Sequence, residues 1–176
     1  MLSEKDQSDH PRRKRACPEH NRRTLEYALW LLGRRAYSVK QIREKLEGKK
    51  FESEDIDATI KRLLELKFLD DFEFAKNFIR QSTLGKPKGV QRVRFELLRK
   101  GIEKDVIENA LLEGNLAESE EELIKKALKT YIKKSTNPTR DKIYNRSIGF
   151  LLRRGFGYDK SKRAVSEFLA SYDNIC

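Results

Sequence analysis

Apolar residues along this chain recur mostly at intervals of three and four. Leu25, Ala28, Leu29 and Leu32 make one stripe, widened by Trp30 and Leu31. Ile56, Ile60, Leu63 and Leu64 make a second, and Leu123, Ala127, Leu128 and Ile132 a third. That is the period of a helix with one face turned to a core. Stretches that alternate apolar and polar residues, as a half-buried strand would, are scarce. The four prolines, Pro11, Pro18, Pro87 and Pro138, leave long intervals free of the strongest helix breaker. Ser38 with Gln41, Asp70 with Glu73, and Ser119 with Glu122 have capping-box spacing, although Asp70 stands where Ser or Thr is usual. The pattern predicts an all-α protein.

The helices repeat. A shift of 51 residues lays Ile42 on Val93, Leu46 on Leu97, Phe51 on Ile102, Ile56 on Ile107 and Ile60 on Leu111 without a gap. A further shift of 54 lays LLRKGI, residues 97–102, on LLRRGF, residues 151–156. The repeated glycines, Gly101 and Gly155, fit a helix end closed by a left-handed residue, with Ile102 or Phe156 folding back onto the core. Glu54, Asp105 and Asp159 then fall in the first turn of the next helix, where its dipole favours them. Lys50 replaces the glycine in the first copy, with Gly48 two residues earlier, which predicts a variant turn there. The expectation is a flexible basic tail over 1–21 and three three-helix repeats over 22–68, 69–115 and 116–176. Stacked end to end and sharing a core, these would form an elongated, curved array.

Charge sharpens the picture of what such an array would meet. The net charge is +11, and it is unevenly placed. Residues 23–71 are almost neutral, whereas Leu123 to Arg163 holds 13 basic residues against two acids, Asp141 and Asp159. Local absence of acids favours a polyanion or an acidic protein surface as partner over a merely solubilising surface. No apolar run approaches the roughly 20 residues that span a bilayer, and the first twenty residues lack the hydrophobic core of a secretory signal. Cys17 and Cys176 make no disulfide framework. The expectation is a cytoplasmic protein with no membrane partner.

Catalytic chemistry has little to stand on. His10 and His20 both lie near the N-terminus, and the Cys17/His20 pair lacks a second pair to complete a tetrahedral metal site. LGKPKG at 84–89 resembles the end of a phosphate-binding loop, but Pro87 stands where Ser or Thr would hold magnesium, so it reads as a linker. Glu52, Glu54, Asp55 and Asp57 cluster at a helix start, and Asp70 with Asp71 fits an N-cap. No enzyme, metal or cofactor is expected. The basic residues are the better candidates: Arg92, Arg94, Arg99 and Lys100 in the second unit, and Arg140, Lys142, Arg146, Arg153 and Arg154, then Lys162 and Arg163, in the third. Lys142 and Arg146 are one helical turn apart, and Arg153 is three turns on from Lys142. Such a row would track phosphates with steep salt dependence, or dock on acidic protein. Tyr144 and Tyr158 would stack on bases or serve as half-buried anchors.

ALWLLGRRAYSVKQIREKL, LDDFEFAKNFI, RVRFELLRKGI and the downstream IENAL, in that order, resemble the RecX family of bacterial recombinase regulators over about residues 24–114. Ala28, Leu31, Leu32, Arg35, Tyr37, Ser38, Leu46, Leu69, Asp70, Asp71, Phe74, Ala75, Glu96, Leu97, Lys100 and Gly101 stand where that pattern expects them. The third unit, with Gly155, matches more loosely. The resemblance implies a non-enzymatic modulator of RecA, built of tandem three-helix repeats and lying as a monomer in the groove of the RecA–single-stranded-DNA filament. It would suppress ATP hydrolysis and strand exchange, touching single-stranded DNA weakly or indirectly. The rival reading is a general helical DNA- or RNA-binding protein acting through the basic third repeat. A DNA hydrolase would need a carboxylate pair facing a groove, and both acid clusters lie at predicted helix starts.

Overall fold

The computed structural model describes residues 18–115, 120–132 and 140–173, and among these it is entirely helix and turn. In chain order the helices are α1 Pro18–Arg34, α2 Val39–Glu47, α3 Ser53–Glu65, α4 Asp71–Thr83, α5 Val90–Arg99, α6 Lys104–Glu113, α7 Glu120–Ile132, α8 Arg140–Arg153 and α9 Tyr158–Asp173. They pack in threes. α1 and α2 lie on α3, α4 and α5 on α6, and α7, α8 and α9 on one another.

Local chemistry explains the helix boundaries. Ser38 caps α2 in a complete capping box: its hydroxyl accepts from the Gln41 N–H, and the Gln41 side chain accepts from the Ser38 N–H. Asp70 caps α4 by accepting from the N–H groups of Phe72 and Glu73, at 3.0 and 3.1 Å. The Ser119 cap lies outside the described residues. The linker at 84–89 does connect two helices, α4 and α5.

The turn after the second helix of each unit is the same object three times. The N–H of Phe51, Ile102 and Phe156 reaches back to the carbonyl of Leu46, Leu97 and Leu151 respectively. Each closure needs a left-handed residue, supplied by Gly101 at φ 83°, Gly155 at φ 80° and Lys50 at φ 61°. The first turn is therefore not a variant. Gly48 is right-handed, and Lys50 takes the left-handed place at a steric cost.

The core departs from a single shared seam. One cluster, including Ala28, Ile42, Leu46, Ile56 and Leu63, belongs to the first unit alone. A second, including Ala75, Val93, Leu97, Ile107, Ile124, Leu151 and Val165, runs through both the second and third units. A cleft of about 420 Å³, walled by Leu29 and Leu32 of α1, Phe68 of the α3–α4 turn, and Glu73 and Phe74 of α4, lies where the first unit meets the second.

Polar junctions join the units, and they repeat as well. The Ser38 hydroxyl, at the start of α2, donates to the Lys100 carbonyl at the end of α5, 2.6 Å away. One unit later the Gly89 N–H, at the start of α5, donates to the Arg154 carbonyl at the end of α8, 2.9 Å away. The second helices thus follow one another head to tail in the order α8, α5, α2, each positive N-terminus facing the preceding negative C-terminus.

Candidate functional site

At 3.6 residues per turn, Lys142, Arg146 and Arg153 fall within a sector of about 40° on α8. Ser147, Ile148 and Leu151 on the opposite side are buried. Packing of that apolar face against α7 and α9 turns the basic row outward. All three side chains are exposed, and among the described residues none has a carboxylate within ion-pairing distance. Gly149 lies just beside this sector, and its bare Cα leaves room for the Arg153 guanidinium alongside. Arg140 is exposed in the first turn of α8 and Lys162 is exposed on α9. The row spans about 16 Å, so it presents several positive charges to one extended anion rather than a pocket to a small one.

The other basic candidates are engaged within the fold. Arg94 forks onto Glu108 of α6 at 2.7 and 2.8 Å, which raises its own pKa and lowers that of Glu108. Arg92 and Lys88 converge on Glu96. Burial alone would raise the Glu96 carboxyl, and these two cations outweigh it and hold the group below its ordinary value. The Arg154 guanidinium donates to the Pro87 carbonyl at 3.0 Å and lies 4.7 Å from the centre of the Phe150 ring, tying the third unit to the second. Lys100 lies over Phe74 and Phe78, Arg99 over Phe95, and Arg163 is 3.9 Å from Glu121. Tyr144 is half-buried against the core, and Tyr158 is 54% exposed.

The residues that carried the resemblance are structural in their contacts. Leu69 and Ala75 are buried, and Tyr37 is buried beneath Arg35. Ser38 and Asp70 are caps, and Phe74 is half-buried. Asp71 reaches back from α4 to accept from the Val39 N–H at 2.9 Å, closing the first junction from the other side. Burial raises its carboxyl above the ordinary range, with Asp70 and Glu103 adding to the rise and the Val39 hydrogen bond opposing it. Gly155 packs so tightly that a Cβ there would overlap the backbone of Arg92.

One exposed feature escaped the sequence reading. Trp30 and Leu29, placed in the buried stripe of the first helix, are 53% and 37% exposed, while Ala28 and Leu31 of that stripe are buried as expected and Thr24 joins them. The spacing of Trp30 and Arg34 is the signal that puts a ring and a cation on one outward face, with Tyr27 one turn back half-buried against the first core. Among the described residues no three His, Cys, Asp or Glu side chains gather as a metal site, and no helix is long and apolar enough to cross a membrane. Cys17 and Cys176 lie outside the described residues, as does the side chain of His20.

Comparison with known proteins agrees with this architecture. Residues 25–63 match the model of the RecX first three-helix domain, and residues 70–111 that of the second. A regulatory protein RecX of Prosthecochloris aestuarii is 35% identical over 152 residues, covering 85% of this chain and 96% of that protein. One from Vibrio vulnificus is 34% identical over 142 residues, covering 80% and 89%. The crystal structure of RecX from Lactobacillus salivarius superposes with a TM-score of 0.67 at 23% identity, over 86% of this chain and 97% of that one. Another RecX crystal structure gives 0.74 at 21% identity, over 82% and 72%. The two solved structures share the fold. With sequence identity extending along nearly the whole of a relative's length, the chain belongs to the RecX family of regulatory proteins.

Proposed function

We propose that this chain modulates recombination by binding along the filament that RecA forms on single-stranded DNA, lodged in the filament groove and lowering ATP hydrolysis and strand exchange. Family membership supports the reading, and one observation gives it a surface. The row Lys142, Arg146 and Arg153 faces outward on α8 with no acidic partner among the described residues. A filament repeats its surface along its length, and so does an array of three-helix units. Several weak contacts on one such track add through effective concentration, so no single deep anchor is needed. The basic row supplies the attraction, to phosphates or to an acidic groove wall. Bridging between successive RecA protomers then restrains the motions that accompany ATP turnover.

The test is RecA's DNA-dependent ATPase with this protein added at well below one molecule per RecA. The triple variant Lys142→Glu/Arg146→Glu/Arg153→Glu runs alongside. Inhibition at those ratios, lost in the variant, is the expected result. No effect on RecA, together with tight and steeply salt-dependent binding to bare single strands, would leave a general nucleic-acid binder using the same row.

A further inference from the structure

The outward face of α1 carries a ladder of rings and cations that the filament reading does not use. Trp30, the chain's sole tryptophan, is 53% exposed. Its indole stacks on Tyr27 with ring centroids 5.7 Å apart and planes 20° from parallel, and Tyr27 in turn lies 6.0 Å from Phe51, both of these rings half-buried against the first core so that Trp30 is the exposed rung. Cations border the ladder at its Trp30 end and beside its middle ring. The Arg34 guanidinium is 4.9 Å from the indole centroid, and the Lys49 ammonium is 5.6 Å from the Tyr27 ring. Among the described residues neither Arg34 nor Lys49 has a carboxylate partner, nor does the neighbouring Arg35. Glu26, on the same helix face, is taken by Arg22 at 2.9 Å.

Two properties have to meet in a site for single-stranded nucleic acid: an aromatic platform on which a base can lie, and positive charge to hold the phosphates beside it. Both are here. An anchor for an apolar protein groove would share the rings and the arginines but not the lysine, which interface cores deplete and which here lies over the Tyr27 ring. Duplex DNA keeps its base faces within the stack and offers nothing for the rings. We propose that Trp30 and Tyr27, flanked by Arg34, Arg35 and Lys49, form a stacking site for the bases of single-stranded nucleic acid. Arg34 covers the open end of the ladder. A base enters by displacing it or by stacking on its guanidinium plane, while the freed charge pairs with a phosphate. The site lies in the first unit, apart from Lys142, Arg146 and Arg153, and needs no recombinase.

Because Trp30 is the sole tryptophan, its emission reports directly on the site. The full chain is titrated at low salt with a short oligothymidylate, and separately with inorganic polyphosphate and with added protein, RecA included. The expected result is saturable quenching by the oligonucleotide and none by polyphosphate. With an end-labelled oligonucleotide followed by anisotropy, Trp30→Ala should weaken binding roughly five- to hundredfold, the worth of one stacked base. Trp30→Phe, which keeps a ring, should retain most of the affinity, and both variants should keep the parent's far-ultraviolet circular dichroism. Quenching by polyphosphate equal to that by the oligonucleotide would overturn the proposal, as would unchanged affinity in Trp30→Ala. An emission that responds to added protein but not to the oligonucleotide would overturn it in favour of a protein-docking face. All three readings are made without the filament, so failure here is distinct from failure of the ATPase test.

Discussion

At the residue scale, the left-handed position that ends each second helix is filled in two ways. Gly101 and Gly155 adopt it freely, whereas Lys50 holds φ 61° with a side chain attached, a conformation that costs about 1–2 kcal/mol for an L-residue. Lys50→Gly should therefore raise stability by about 0.5–1 kcal/mol, the strain removed less the added freedom of the unfolded chain. Gly155→Ala should do the reverse by at least about 2 kcal/mol, because a Cβ there meets the Arg92 backbone as well as the unfavourable φ. Thermal melts of the two variants check both signs. Asp71 supports a second prediction. Burial lifts its folded pKa above the ordinary 3.8, so the folded chain binds that proton more tightly than the unfolded chain does. Its favourable contribution is thus fully present below the unfolded value and lost as pH rises through the folded one. Asp71→Asn keeps an oxygen for the Val39 N–H and has no charge to desolvate. The variant's melting temperature relative to the parent should climb from about pH 3 to pH 7. Glu96 and Glu108, whose carboxyls are held low and respond oppositely, are common to both proteins and cancel. A relative stability that falls with pH would show that burial does not dominate at Asp71.

At the scale of elements, each second helix begins against the end of the second helix in the following unit, and the two junctions solve one geometric problem with different chemistry. Ser38 caps its own helix while its hydroxyl donates to the Lys100 carbonyl. Gly89 uses its backbone N–H on Arg154 and leaves no room for a side chain, since a Cβ would overlap Gly155. Ser38→Ala should cost about 1–2 kcal/mol, the loss of an N-cap together with an inter-unit bond. Gly89→Ala should cost about 1–3 kcal/mol by overpacking. Denaturant midpoints measured at a constant m-value test both. Much of this level was legible in the sequence, because helix periods, the caps at Ser38 and Asp70, and the glycine turns are all short-range. The phase of α1 was not. LEYALWLL is apolar on nearly every side, so spacing alone did not decide that Ala28 and Leu31 go in while Leu29 and Trp30 go out. Nor were the junctions legible, since Ser38 and Lys100 are 62 positions apart and the matching donor at Gly89 is the backbone itself. The same distance hid which charges are spent. Arg94 reads as a free arginine until α6 brings Glu108 beside it, whereas the outward row on α8 follows from helical spacing alone.

At the scale of the whole molecule, the three-helix units are held by two cores rather than by one. The first unit closes its own core around Ile42, Leu46 and Leu63, while the second and third share theirs through Leu97, Ile124 and Leu151. Hydrogen bonds at Ser38 and Val39 and the packing of Lys40 against Gly101 join the two bodies, with an open cleft where an apolar seam would otherwise lie. A core confined to about fifty residues buries a smaller share of its surface than one spread over two such units, so the first unit is the less stable body. It should open on its own, as a sub-global unit, before the rest unfolds. Native-state hydrogen exchange tests this when two core truncations are compared. Ile42→Ala deletes a fully buried side chain of the first core and should cost about 2–5 kcal/mol. That loss should register in the amides of α2 and α3 while those of α7 to α9 keep the parent's protection. Leu97→Ala, equally buried but in the shared core, should weaken protection from α4 through α9 and, because global unfolding then limits every helix, cap the first unit only if the larger body falls below it. Equal losses along the whole chain in Ile42→Ala would show that the polar junctions couple the two bodies as strongly as a common core does. Unequal losses would show that the first unit, with the proposed stacking site on α1, opens independently of the larger core that carries the basic row on α8.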